Sequence, residues 1–134
     1  MSYRHNPNST TLAEIDKTLQ FIRERAPELF EREGATKWTE GHRVFFDPEG
    51  PDDQYTFMVG ALKNGNVTWH MMPIYAVPEL KERWATALRP FLSGKSCIQF
   101  KSFDELPQDA LDDIVRKGTP AFGQVLNTLK KKKR

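Results

Sequence analysis

The sequence has one cysteine and no long apolar run. The single cysteine, Cys97, excludes a disulfide within these 134 residues and a zinc site built from several cysteines, which is typical of a reducing compartment. No stretch approaches the roughly 18 to 20 consecutive apolar residues that cross a bilayer, and the first residues do not read as a secretory signal. We therefore expect a soluble, cytoplasmic protein with no membrane partner.

A complete phosphate-binding loop is also missing, although Gly94-Lys95-Ser96 reads like the end of one. Such a loop needs a glycine five residues before the Gly-Lys pair, a strand before it and a helix after it. Here that position is Arg89, and Pro90 removes a backbone N–H donor. No Ser-His-Asp or Cys-His arrangement can be assigned from the spacing of the residues either. We expect a protein without enzymatic activity.

Positive charge is concentrated at one end of the chain. The formal net charge is +2, but residues 130–134 are all basic, and without them 15 basic residues face 18 acidic ones, a net charge of −3. A terminal run of like charges is usually solvated, and the rest of the chain has no basic face interleaved with aromatic residues. Nucleic acid is not the partner that this pattern favours.

The apolar periodicity predicts where helical order begins. Residues 1–10 are polar and aperiodic, as in a flexible leader, and helical spacing starts at Thr11, whose separation from Glu14 matches a capping box. Pro27 interrupts the pattern, so we expect one helix to about Arg25 and a tight helical continuation through Pro27 that ends before Gly34.

The middle of the chain has the two-residue period of strands. We expect short strands over 43–46, 55–62 and 67–72, with the last two joined as a hairpin through Asn64-Gly65. One face of this hairpin should meet helices, and the other should be partly covered or offer a binding surface.

Further helices and one more strand complete the prediction. Pro73 and Pro78 open a helix that Pro90 closes, Cys97–Phe100 form a strand, and a helix starts near Pro107 and ends at Gly118, with a further helical segment from Pro120 to Leu129. The predicted fold is a single α+β domain over 11–129, with an antiparallel sheet of four or five strands packed by helices, followed by the basic tail 130–134.

Several short motifs resemble the YdhG-like domain-of-unknown-function family. They are Phe57–Lys63, Val67–His70, the Gly-Lys turn and strand over 94–100, Asp104-Glu105-Leu106-Pro107 and Lys37-Trp38, and the resemblance runs from about Leu12 to Lys117. It implies a frataxin-like sandwich and, because a relative is regarded as an iron chaperone, an iron-binding role. The loop 47–54, the segment beyond Lys117 and the basic tail depart from the family pattern.

An iron carrier needs exposed hard oxygen ligands. The candidates here are Glu24, Glu28 and Glu31, which fall near one face of the predicted first helix, although arginines interleave with them and compete for the carboxylates. A solvated face with ion pairs is the alternative interpretation.

A second hypothesis is a binding module that uses the sheet face around Trp38 and His70. Trp38 is an aromatic residue beside a charge in a predicted loop. Such residues are common at recognition sites, and the alternative is that Trp38 packs at the edge of the core. Polar groups around the sheet could line a pocket for a small anion or for carboxylates of a protein partner: Lys37, Arg43, Lys63, His70, Lys95 and Lys101. A lone strand histidine such as His70 is more often structural, and Cys97 is more often a packed side chain.

Overall fold

The structure is a computed structural model that describes residues 8–34, 40–51, 54–94 and 96–132, the last four by backbone alone. In this part of the chain, four α-helices accompany a six-stranded antiparallel sheet. The predicted α+β class and antiparallel sheet are confirmed, with six strands in place of four or five.

The helices and strands alternate irregularly along the chain. They are α1 (Ser9–Arg25), β1 (Phe30–Glu33), β2 (Arg43–Phe46), β3 (Phe57–Ala61), β4 (Val67–Met71), α2 (Met72–Ala76), α3 (Pro78–Leu88), β5 (Leu92–Ser93), β6 (Cys97–Phe100), a 3₁₀ turn (Phe103–Glu105) and α4 (Gln108–Lys132). The strand order across the sheet is β1-β2-β3-β4-β6-β5. None of the helices in the described residues combines the length and apolar content that a bilayer-spanning segment needs.

The core lies between one face of the sheet and helices α1 and α4. Trp69 and Phe57 on the strands are fully buried, as are Ile15 and Leu19 on α1 and Leu111 on α4. Complete burial of one such apolar side chain stabilises a fold by about 1.5–3 kcal/mol. The opposite face of the sheet carries a second, smaller cluster of buried apolar side chains.

The start of α1 differs from the prediction. Asn8 caps the helix, since its Oδ1 accepts a hydrogen bond from the Thr11 backbone N–H at 2.8 Å, and the helix begins at Ser9. The Glu14 carboxylate does not close a capping box with Thr11. It is buried and accepts a hydrogen bond from the Phe103 backbone N–H at 2.7 Å, so it joins α1 to the 3₁₀ turn.

The predicted helical continuation after Pro27 is wrong. Helix α1 ends at Arg25, and the chain turns and enters the edge strand β1, whose Phe30 pairs with Phe46 of β2. Proline cannot donate to a helical ladder. The following residues find their backbone partners in β2 instead.

The predicted break near Gly118 is also wrong, because α4 runs without interruption past Gly118 and Pro120. A Cβ at position 118 would lie 2.8 Å from Pro73 Cβ and 3.0 Å from Leu80 Cδ1, so glycine here permits close packing against α2 and α3. The buried Phe122 and Leu126 continue the apolar stripe beyond the proline. Tertiary packing therefore outweighs the local preference to stop.

The predicted hairpin is confirmed. Strands β3 and β4 pair from Phe57 with Met71 to Ala61 with Val67, and Gly65 in the connection has a φ of 89°. That left-handed conformation suits glycine. Gly94, with a φ of 80°, similarly turns the chain between β5 and β6, so the Gly-Lys segment delivers a strand to the sheet.

Candidate functional site

A row of side chains crosses the sheet face that is turned away from α1 and α4. Val44, Met58, His70 and Cys97 are successive cross-strand partners in β2, β3, β4 and β6, so their side chains share one face. Trp69 and Met71 point to the opposite face, into the core. The two-residue period predicted for this strand is thus confirmed.

A cavity of about 440 Å³ opens on this face. Its walls are made of residues from strands and loops, with no helical residue among them: His42, Tyr55, Met58, Ala61, Leu62, Thr68, His70, Ser93, Cys97 and Gln99. The volume falls within the range of small-molecule sites. The cavity therefore has the size, and the mixture of apolar and polar groups, of a ligand pocket.

His70 and Cys97 form a hydrogen-bonded pair in the wall of this cavity. They are direct partners in the β4–β6 register, and Cys97 Sγ lies 2.6 Å from His70 Nδ1. Burial lowers the pKa of His70, and the nearby His42 lowers it further. Burial raises the pKa of Cys97, against a hydrogen bond from Ser96 that acts to lower it. Near neutral pH the pair is uncharged, and in the imidazole tautomer that carries its proton on Nε2 the thiol donates to Nδ1.

His42 lies across β3 at the position of Gly60. A Cβ at residue 60 would overlap the imidazole ring, so the absence of a side chain makes room for it. His42 Nδ1 is also 3.2 Å from the Glu40 carbonyl oxygen. The glycine and the histidine together shape one end of the cavity.

Tyr55 contributes a phenol at the same cavity. Burial raises its pKa, and the nearby Cys97 raises it further, so the hydroxyl keeps its proton and can donate a hydrogen bond. Gln99 and Thr68 add an amide and a hydroxyl, and Met58 and Leu62 add apolar surface. These groups are neutral, and they suit a ligand that is itself uncharged and partly apolar.

Of the basic residues predicted to surround a pocket, the three that the structure describes do not line this cavity. Arg43 faces the other side of the sheet, where its Nε donates to Glu31 Oε2 at 3.0 Å. Lys63 is exposed in the hairpin connection, and Lys101 lines a separate cavity of about 260 Å³ with Asn8 and Asn64. Lys37, Trp38 and Lys95 lie outside the described residues, so the structure leaves their placement open.

The three candidate metal ligands come from three different elements. Glu24 is on α1, Glu28 is in the turn that follows, and Glu31 is on β1, because the predicted helical continuation does not form. The Glu31 carboxylate is held by Arg23 at 2.7 Å and by Arg43 at 3.0 Å. Among the described residues, no group of three His, Cys, Asp or Glu side chains is placed to hold a metal ion.

A larger depression of about 610 Å³ lies along α1. Two of its cations have partners in the depression: Lys17 lies 3.3 Å from Asp104, and the Arg25 guanidinium lies 3.6 Å above the Phe21 ring. Arg25 Nε also donates to Asp112 at 2.8 Å. This surface uses its polar groups to join α1 to its neighbours.

Sequence reasoning named His70 but missed its partner. Cys97 was interpreted as a packed strand residue, whereas the structure places it in the cavity wall with Gln99. What the sequence does not contain is the β4–β6 register, which places Cys97 opposite His70. Comparison of the chain with protein-family models, with curated proteins and with solved structures found no match.

Proposed function

We propose that this protein is a non-enzymatic binding domain whose site is the cavity on the sheet face turned away from α1 and α4. Its ligand is a small uncharged molecule with hydrogen-bonding groups and an apolar part. The observation that carries the proposal is the row of neutral polar side chains in one cavity, with His70, Tyr55 and Gln99 as its hydrogen-bonding members. This revises the expected anion pocket while keeping the expected sheet face.

The described residues that line the cavity include no lysine or arginine, which supports an uncharged ligand. Arg43, the arginine predicted for the site, faces the other side of the sheet and is paired with Glu31. The neutral state of the His70–Cys97 pair removes a second source of positive charge. An anion buried there would lose its hydration without a compensating charge among the described residues.

Gln99 is the side chain whose replacement tests ligand binding most directly. Its side chain lines the cavity and makes no hydrogen bond to another described residue. An amide in such a position is free to pair with a ligand, as polar groups in ligand pockets do. Replacing it by leucine keeps the volume and removes the amide.

Backbone amide chemical shifts in an NMR titration test the proposal. The panel should contain pairs of small molecules that differ only in carrying an amide or a carboxylate. We expect saturating shifts at Thr68, His70 and Gln99 with amide members, weaker shifts with their carboxylate partners, and at least a tenfold loss of affinity in Gln99→Leu, the factor that about 1.4 kcal/mol represents.

A matched control is Gln20→Leu, which makes the same change on the exposed surface of α1. It should leave the affinity unchanged. A flat response of the cavity residues across the whole panel, or equal losses in both variants, would contradict the proposed site.

A further inference from the structure

We propose that Cys97 is a modification site at which the thiol, with His70 as its base, exchanges with a small uncharged disulfide that enters the sheet-face cavity. The product is a mixed disulfide between Cys97 and half of the reagent. This inference rests on the proposed function only in that the same cavity admits the reagent.

The geometry is that of a nucleophile and its base. Cys97 Sγ is 2.6 Å from His70 Nδ1, within the reach that proton transfer needs, and 3.8 Å from Nε2. Cys97 is partly exposed and lines the cavity, so a reagent there can meet the sulfur. The sequence alone suggested a cysteine that only fills space in the core. Such a cysteine has no base beside its sulfur and no cavity through which a reagent could reach it.

The surroundings favour a reaction in which charge appears only briefly. The imidazole is neutral before reaction, so a bare Nδ1 can accept the thiol proton; because burial lowers the pKa of His70 and raises that of Cys97, this transfer occurs only as the sulfur attacks. The Ser96 hydroxyl bonds to the sulfur and stabilises its ionised form, and the protonated Tyr55 phenol is close enough to interact with that charge. These groups stabilise the thiolate during the reaction, although the thiol is protonated before it.

The exchange balances without any further oxidant. The Cys97 proton passes to His70 Nδ1 as Sγ attacks one sulfur of the disulfide, a new S–S bond forms, and the old S–S bond breaks. The electron pair of the broken bond leaves on the second sulfur, which takes the proton from His70. One thiol and one disulfide enter, and one thiol and one disulfide result.

The adduct has no route to an internal disulfide, because Cys97 is the only cysteine in the sequence. The mixed disulfide therefore persists until an external thiol removes it. While present, it occupies the cavity that the proposed ligand would use. Modification and ligand binding should exclude each other.

The test is the rate of adduct formation on the full chain with bis(2-hydroxyethyl) disulfide, followed by intact mass. We expect Cys97→Ser to form no adduct, and we expect the rate of the urea-unfolded protein not to depend on His70. His70→Ala should react at least about tenfold more slowly, given that base assistance contributes factors of roughly 10²–10⁴ in enzymes. Added free imidazole should restore much of the rate in His70→Ala.

Imidazole rescue separates a base from a structural role, because a side chain that only supports the fold is not replaced by a solute. Gln20→Ala, a change on the exposed surface of α1 away from this cavity, is the control; its rate should equal that of the unsubstituted protein. A His70 variant that fails to fold is replaced by His70→Gln, with folding checked by circular dichroism.

The two proposals can fail separately. A folded-state rate below the unfolded rate that is also insensitive to His70 would overturn the modification site. A fast, His70-dependent exchange together with a flat NMR titration would uphold the modification site and contradict the ligand-binding proposal.

Discussion

The His42 imidazole occupies the space that a side chain at Gly60 would fill. Two residues 18 positions apart are therefore matched in shape on the sheet face turned away from α1 and α4. Because His42 lines the cavity, this match sets the outline of the proposed site as well as the packing of β3. A methyl group at residue 60 has no other direction in which to point.

We predict that Gly60→Ala destabilises the protein by about 1–3 kcal/mol, the usual cost of overpacking a filled site. Urea unfolding measures the change. The double variant Gly60→Ala/His42→Ala removes the ring that the methyl group meets, and it should be more stable than the sum of the two single changes predicts. Additive effects would contradict the contact.

A second prediction concerns Glu31. Burial acts to raise the pKa of its carboxyl, but hydrogen bonds from Arg23 and Arg43 outweigh burial, and the pKa lies below its ordinary value of 4.5. The stabilisation is therefore complete above the unfolded-state pKa and is lost as the pH falls through the lower folded-state value.

We expect Glu31→Gln to cost about 1–3 kcal/mol at pH 7, as for loss of charge-assisted hydrogen bonds. The deficit relative to the unsubstituted protein should shrink below about pH 4.5 in urea unfolding over a pH series. Glu28→Gln, an exposed change in the neighbouring turn, should show neither effect. A deficit that stays constant with pH would count against the ion pairs.

Asp113 ties α3 to α4. Its Oδ2 accepts hydrogen bonds from the Trp84 indole N–H and from Arg83, each at 2.7 Å. We predict that Asp113→Ala costs about 1–3 kcal/mol because the partly buried indole N–H is left unpaired. The adjacent Asp112→Ala removes a more exposed carboxylate and should cost at most about 1 kcal/mol. Chemical denaturation of both variants makes the comparison, and equal costs would contradict it.

The iron hypothesis has its own measurement. Because Glu31 is held by two arginines and the other two carboxylates lie on separate elements, we expect that neutralising Glu24, Glu28 and Glu31 together does not change ferrous iron binding. Anaerobic calorimetry of the triple variant beside the unsubstituted protein tests this. Binding that disappears in the triple variant would restore the acidic carrier site implied by the resemblance.

Features with a short-range cause could be predicted from the sequence. The Asn64-Gly65 turn specifies its hairpin, and the alternation around Trp69 places His70 on the outer face, because both depend on neighbouring residues. Strand β1 could not be predicted in the same way, because its backbone partners lie in β2. The continuity of α4 depends likewise on Gly118 meeting Pro73.

The residues of the candidate site also separate into those with a short-range cause and those that depend on distant parts of the chain. His70 and the sheet face follow from alternation, but the contact with Cys97 depends on a register across 27 residues of chain. Arg43 was assigned to the pocket because its charge suited an anion. Its register partner Val59 lies in the core face, so the side chain points away from His70.

The two outermost strands bear on how this protein behaves at high concentration. β5 is two residues long, and β1 carries Glu31, Arg32 and Glu33 over three of its four positions. Short and charged edge strands are poor templates for pairing with another sheet. The edges of this sheet therefore resist pairing with the sheet of another molecule.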